Sequence, residues 1–139
     1  MIVLDTSGLL AAIDADQRHH EGARRLLRTD PGPFFLSPFV LAELDFLLLT
    51  RVGEHAEVAF LREVAAGAYR LEPFGGDDVA QAADLVEQYA DLGIGLADAS
   101  VAILASRHRT RRLLTLDERH FRAMRPLNGG SFKLLPSDV

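Results

Sequence analysis

Hydrophobic positions along this chain fall into two kinds of run. Short runs stand between turn signals at Met1–Leu4, Phe34–Leu36, Tyr69–Pro73, Arg112–Leu116 and Phe132–Leu135, largely apolar in all but YRLEP at Tyr69–Pro73. A strand with one wet face alternates polar and apolar residues, so these runs predict strands covered on both faces. Elsewhere apolar residues recur every three or four positions, the helical period. That spacing predicts helices over Ser7–Ala15, Arg18–Thr29, Phe39–Thr50, Glu54–Ala66, Asp77–Asp91 and Ala97–Arg107, with Glu118–Met124 a short helix or loop. Asp30-Pro31-Gly32-Pro33, Gly75-Gly76 and Gly93-Ile94-Gly95 break the pattern. Ser37 is a good cap and Pro38 a good first-turn residue for the helix that follows them. Strands that alternate with helices define an α/β fold, here a three-layer sandwich around a central parallel sheet. With 139 residues, no repeats and no linker, the expectation is one domain over 1–139.

In parallel sheets of this kind, sites form beyond the carboxyl ends of the strands. That rule filters the acids. Asp5 ends the first strand, and Asp117 ends the strand in RLLTLD, so both point to one rim. Taken alone, each reads as a helix cap. Asp98 opens the helix ADASVAILA, either as a cap or as a carboxylate delivered to the rim. Glu43 has Phe39, Val40, Phe46 and Leu47 as its helical neighbours, an apolar setting that demands an arginine partner such as Arg51 or Arg62, or a cation. Asp45 poses the same problem against Leu41, Ala42, Leu48 and Leu49. It lies roughly 200° round the helix from Glu43, so both cannot face one site, and periodicity does not choose between them. Asp77, Asp78, Asp84, Glu87 and Asp91 belong to an ordinary polar helix face.

Asp5, Glu43, Asp98 and Asp117 are therefore four carboxylates in positions that could converge. A hard divalent cation relieves their repulsion, and oxygen-only ligation favours Mg²⁺ or Mn²⁺. Cysteine is absent, His19 and His20 are adjacent, and no HxH or HxxxH pairing occurs, which disfavours zinc.

Charge complicates the picture. The formal net charge of −5 argues against a nucleic-acid binder, and these four acids account for most of it. Its distribution is uneven: Arg107, Arg109, Arg111, Arg112, Arg119, Arg122 and Arg125 stand against only Asp117 and Glu118, and Arg24, Arg25 and Arg28 form a second cluster. Two readings stay open for the long cluster, a solvated face or a grip on phosphates. Asp5 interrupts the apolar start, no basic segment precedes it, and no apolar stretch approaches a membrane span. Together with the missing cysteines, this gives the expectation of a soluble cytoplasmic protein without a membrane partner.

The segments IVLDTSGLLA, SPFVLAEL, LADASVAILA and LLTLDERHF, in that order and across almost the whole chain, resemble the PIN-domain family and, within it, the VapC-like toxins of bacterial toxin–antitoxin pairs. The resemblance implies a PIN-like α/β/α sandwich and a metal-dependent endoribonuclease. It implies Asp5, Glu43 and Asp98 as the core metal-binding acids and Asp117 as the fourth, and it selects Glu43 over Asp45. Thr6, Ser7 and Thr115 match supporting polar positions. One or two Mg²⁺ or Mn²⁺ ions, an RNA substrate such as tRNA or rRNA, a VapB-like antitoxin and a homodimer are implied too. Under this reading Arg107, Arg109, Arg111, Arg112 and Arg119 flank the scissile site, while Arg122 and Arg125 can remain solvated. The apolar Leu44–Leu49 segment supplies core, groove or dimer surface. The rivals are a PIN nuclease of RNA processing and a non-cleaving RNA-binding translation inhibitor. A haloacid-dehalogenase-type phosphatase needs a second Asp where Ser7 stands, and a phospho-receiver domain needs paired early acids and a late lysine where Thr-Leu-Asp stands.

Overall fold

The computed structural model describes residues 1–138. Five strands, β1 (Ile2–Leu4), β2 (Phe34–Leu36), β3 (Arg70–Leu71), β4 (Arg112–Leu114) and β5 (Lys133–Leu135), lie in the order β3-β2-β1-β4-β5. Every pairing is parallel. The helices are α1 (Thr6–Ile13), α2 (His20–Thr29), α3 (Pro38–Arg51), α4 (Glu54–Ala65), α5 (Gly76–Gln88), α6 (Leu96–Arg107) and α7 (Glu118–Ala123). The central strand β1 is fully buried, as its unbroken apolar run requires. Leu4, Leu36 and Leu114 close the core along with Leu44 and Leu48 of α3 and Leu104 of α6, each contributing about 1.5–3 kcal/mol by burial.

Most boundaries fall within a few residues of expectation, and each departure has a local cause. The run Tyr69–Pro73 yields only the two-residue strand β3, which is exposed at the sheet edge. Asp77–Asp91 is not one helix: α5 stops at Gln88, and a separate 3-10 turn, Ala90–Leu92, ends at Gly93 with φ +67. α2 starts two residues later than its pattern suggests, because His19 takes a left-handed conformation with φ +62.

Two close approaches position the rim. A Cβ on Gly8 would stand 2.3 Å from the Leu114 carbonyl oxygen, so only glycine lets α1 rest directly on β4. Ser37 caps α3 by accepting from the Phe39 amide at 3.1 Å, and it shares a buried 2.7 Å hydrogen bond with Ser100 of α6. That bond pins the start of α3 against α6. Among the described residues, no helix is long and apolar enough to cross a membrane.

Candidate metal centre

Because all strands run the same way, the residues just past β1 and β4 emerge on one rim. Asp5 leaves β1 in an extended conformation and is 4% exposed. It does not cap α1. Its Oδ2 instead accepts hydrogen bonds from Thr115 Oγ1 at 2.7 Å and Ser7 Oγ at 3.0 Å. Those hydroxyls in turn accept the backbone N–H groups of Asp117 (2.9 Å) and Leu116 (2.9 Å). The relay ties the end of β4 to the end of β1. Both hydroxyls converge on one carboxylate oxygen, which leaves Oδ1 for another ligand.

Burial pushes the Asp5 carboxyl up to about 6, with the Asp98 charge adding to it; the Thr115 and Ser7 hydrogen bonds oppose the rise. Asp98, in the first turn of α6, is also raised, chiefly by burial and further by Asp117 and Glu43, against the Gly95 N–H and His120. Its Oδ2 accepts the Gly95 N–H at 3.3 Å, so Asp98 is both a cap and a rim group. Asp117 is likewise both: Oδ1 accepts the His120 N–H at 3.0 Å.

Glu43 reaches the same place by a different route from the one its neighbours suggest. It is exposed, and Phe46 beside it is 64% exposed, so the apolar neighbours do not enclose it. α3 buries Val40, Leu44 and Leu48 instead. Neither Arg51 nor Arg62 forms an ion pair with Glu43 among the described residues. Glu43 lines a cavity of about 330 Å³ with Asp5, Asp98 and Asp117. Asp45 stands apart, against Glu57 of α4.

Two buried polar atoms beside these acids lack a hydrogen bond: Thr6 Oγ1, on the cavity wall, and His120 Nδ1, between Asp98 and Asp117. The imidazole nitrogen is 2.8 Å from Asp117 Oδ2 and 3.3 Å from Asp98 Oδ2, close enough for charge but poorly directed. Orphaned donors and acceptors beside acids that oppose one another's ionisation fit a divalent cation.

The arginines divide. Arg107, Arg109, Arg111 and Arg112 precede or begin β4, so they lie at the opposite end of the sheet from the acids, around a separate cavity of about 830 Å³. Arg107 pairs with Glu72 (3.5 Å) and Asp78 (3.2 Å), and Arg112 pairs with Asp30 (2.7 Å). Sequence proximity to Asp117 misleads here because β4 carries the chain from one rim to the other. Arg119 alone of the five stands at the acid rim, 3.4 Å from His120 Nε2. Arg18, not singled out from the sequence, and Arg51, named there only as a possible partner of Glu43, line the acid cavity and are exposed. Nothing local marks Arg18. His120 was also missed; its signal was the three-residue spacing from Asp117 at a helix start.

The all-parallel α/β sandwich with four carboxylates around one cavity at its carboxyl rim is the arrangement that the resemblance to PIN domains implies. The PIN domain model matches residues 2–125. Ribonuclease VapC26 of Mycobacterium tuberculosis is 47% identical over 135 residues, covering 97% of this chain and 100% of that relative. The structure of Mycobacterium tuberculosis VapC20, described as a Sarcin-Ricin loop cleaving toxin, superposes with a TM-score of 0.78 at 26% identity over 84% of this chain and 90% of that one. A toxin–antitoxin complex from Klebsiella pneumoniae shares the fold, with a TM-score of 0.65 at 19% identity over 89% of this chain and 92% of that one. The chain belongs to the PIN-domain family, in its VapC branch.

Proposed function

We propose that this protein is the toxin of a toxin–antitoxin pair, a Mg²⁺- or Mn²⁺-dependent endoribonuclease that cuts tRNA or rRNA in the cytoplasm and so stops translation. The observation that carries the reading is the convergence of Asp5, Glu43, Asp98 and Asp117 on one open cavity. The likeness to VapC26 and VapC20 supports an RNA substrate.

Asp5, Asp98, Glu43 and Asp117 would hold one or two ions. A bound divalent cation supplies a water acidified towards neutral pH and positive charge against the scissile phosphate. The protein's own groups do the rest. Ser7 and Thr115 fix the Asp5 carboxylate through Oδ2. Glu43, exposed on the cavity wall, is free to accept a proton from the attacking water. Arg18, Arg51 and Arg119 offer charge to flanking phosphates.

α3, α4 and the turn between them leave Phe46, Leu49, Val52, Val58 and Leu61 exposed. This apolar surface supports a protein partner, a VapB-like antitoxin or a second copy of the chain.

The test is cleavage of total cellular RNA by purified protein with Mg²⁺, with Mn²⁺, with chelator, and with Asp5→Asn. Discrete fragments that require both metal and Asp5 are expected. Folded protein that binds RNA but cuts it under no condition would be a non-cleaving inhibitor instead.

A further inference from the structure

His120 sits between two of the acids in a specific orientation. Its Nε2 lies 3.1 Å from the Leu92 carbonyl oxygen. A carbonyl only accepts, so that nitrogen carries the hydrogen. Arg119 Nη1 approaches the same nitrogen at 3.4 Å, a longer contact from an exposed side chain, and leaves the carbonyl as the better partner. In the neutral ring the hydrogen is therefore on Nε2, and Nδ1, 2.8 Å from Asp117 Oδ2 and 3.3 Å from Asp98 Oδ2 with no hydrogen bond of its own, keeps its lone pair for another ligand. Metal-ligating histidines adopt this arrangement, one ring N–H tied to a backbone carbonyl and the other nitrogen facing the ion.

The spacing suits the same purpose. Adjacent ligands of an octahedral ion bonded at about 2.1 Å stand about 3.0 Å apart. The two nitrogen–oxygen separations, 2.8 and 3.3 Å, bracket that edge. One ligand atom from each of Asp98, Asp117 and His120 lies within 4.8 Å of the others. Independently, Thr6, 4% exposed on the wall of the same cavity, keeps an unpartnered hydroxyl beside Asp5.

We propose that His120 is a metal ligand, its Nδ1 completing a site with Asp98 and Asp117. The inference rests on the metal-dependent reading of the acids and deepens it. A nitrogen donor favours first-row transition ions over Mg²⁺, so the centre selects Mn²⁺ over Mg²⁺.

The test strips the full chain with chelator, reloads it with one equivalent of Mn²⁺, and records pulsed electron paramagnetic resonance for directly bound ¹⁴N. Wild type is expected to show the modulation of a coordinated imidazole, and His120→Gln to lack it. Calorimetry in parallel is expected to show Mn²⁺ affinity falling about tenfold or more in His120→Gln, with Mg²⁺ affinity changing less than about threefold. Stoichiometric Mn²⁺ without a ¹⁴N signal in wild type would overturn the inference and leave the metal-dependent reading standing; His120 would then be a cation bracing two acids. Wild type that binds no Mn²⁺ would overturn both. The wild-type spectrum decides without any variant having to fold.

Discussion

Asp5→Asn makes the sharpest prediction, because it should remove metal binding and stabilise the metal-free protein. The Asp5 carboxyl is pushed from 3.8 to about 6, principally by burial. At 1.36 kcal/mol per unit this corresponds to about 3 kcal/mol between the protonated and ionised forms. Since the folded value is raised, the folded state favours the proton. The stabilising contribution is complete below about pH 3.8 and is lost as pH rises through about 6. At pH 7.5 without metal, wild type therefore carries an ionised, buried and poorly compensated carboxylate. Asparagine is neutral throughout, and its amide oxygen still accepts from Ser7 and Thr115. Asp5→Asn should gain up to about 3 kcal/mol at pH 7.5, or about 10 °C in Tm for a chain of this size, and almost nothing at pH 4. Thermal melts by circular dichroism in chelator, from pH 4 to 8, measure this directly. Adding Mn²⁺ should raise the Tm of wild type and leave Asp5→Asn unmoved. A variant no more stable than wild type at pH 7.5, or a gain that ignores pH, would refute the reasoning.

Other perturbations separate the supporting parts. Gly8→Ala places a Cβ 2.3 Å from the Leu114 carbonyl oxygen; overpacking of about 1–3 kcal/mol should lower the Tm and, by lifting α1 off β4, part Ser7 from Thr115 and reduce cleavage. Thr115→Val orphans the Asp117 N–H and takes a hydrogen bond from Asp5. It should destabilise by about 1–3 kcal/mol and move the Asp5 titration, followed by carboxyl ¹³C NMR, above about 6; an unchanged midpoint counts against the relay. Arg18→Ala and Arg51→Ala should each weaken RNA binding by fluorescence anisotropy and lower the salt slope by about one. Arg109→Ala and Arg111→Ala, at the other end of the sheet, should change it little. The reverse ranking would move the RNA path to the arginine cavity.

The sequence by itself determined the layered α/β class, because continuous apolar strand runs and three-to-four-residue helix spacing have few other ways to be buried together. It also marked Asp5, Asp98 and Asp117 as candidates for one rim, because an acid at the end of a parallel strand or at a helix start can stand there, although each read equally as a cap, and Asp98 and Asp117 prove to be both. Glu43 was legible only through the family-like phrase SPFVLAEL. The local argument assumed that its apolar neighbours enclosed it, and α3 instead turns Phe46 to solvent. Tertiary structure alone decided which cations join the acids. Linear adjacency set the arginines around Arg107–Arg112 beside Asp117, but a strand is a vector, and β4 separates its two ends. Arg18, from the turn between α1 and α2, and Arg51, from the end of α3, meet on the cavity wall only once the chain has folded, and His120 needs the Leu92 carbonyl, distant in sequence, to fix its ring. Residue type and period are local properties and survive in one dimension. The direction of a side chain, and what stands opposite it, exist only after the chain has closed on itself.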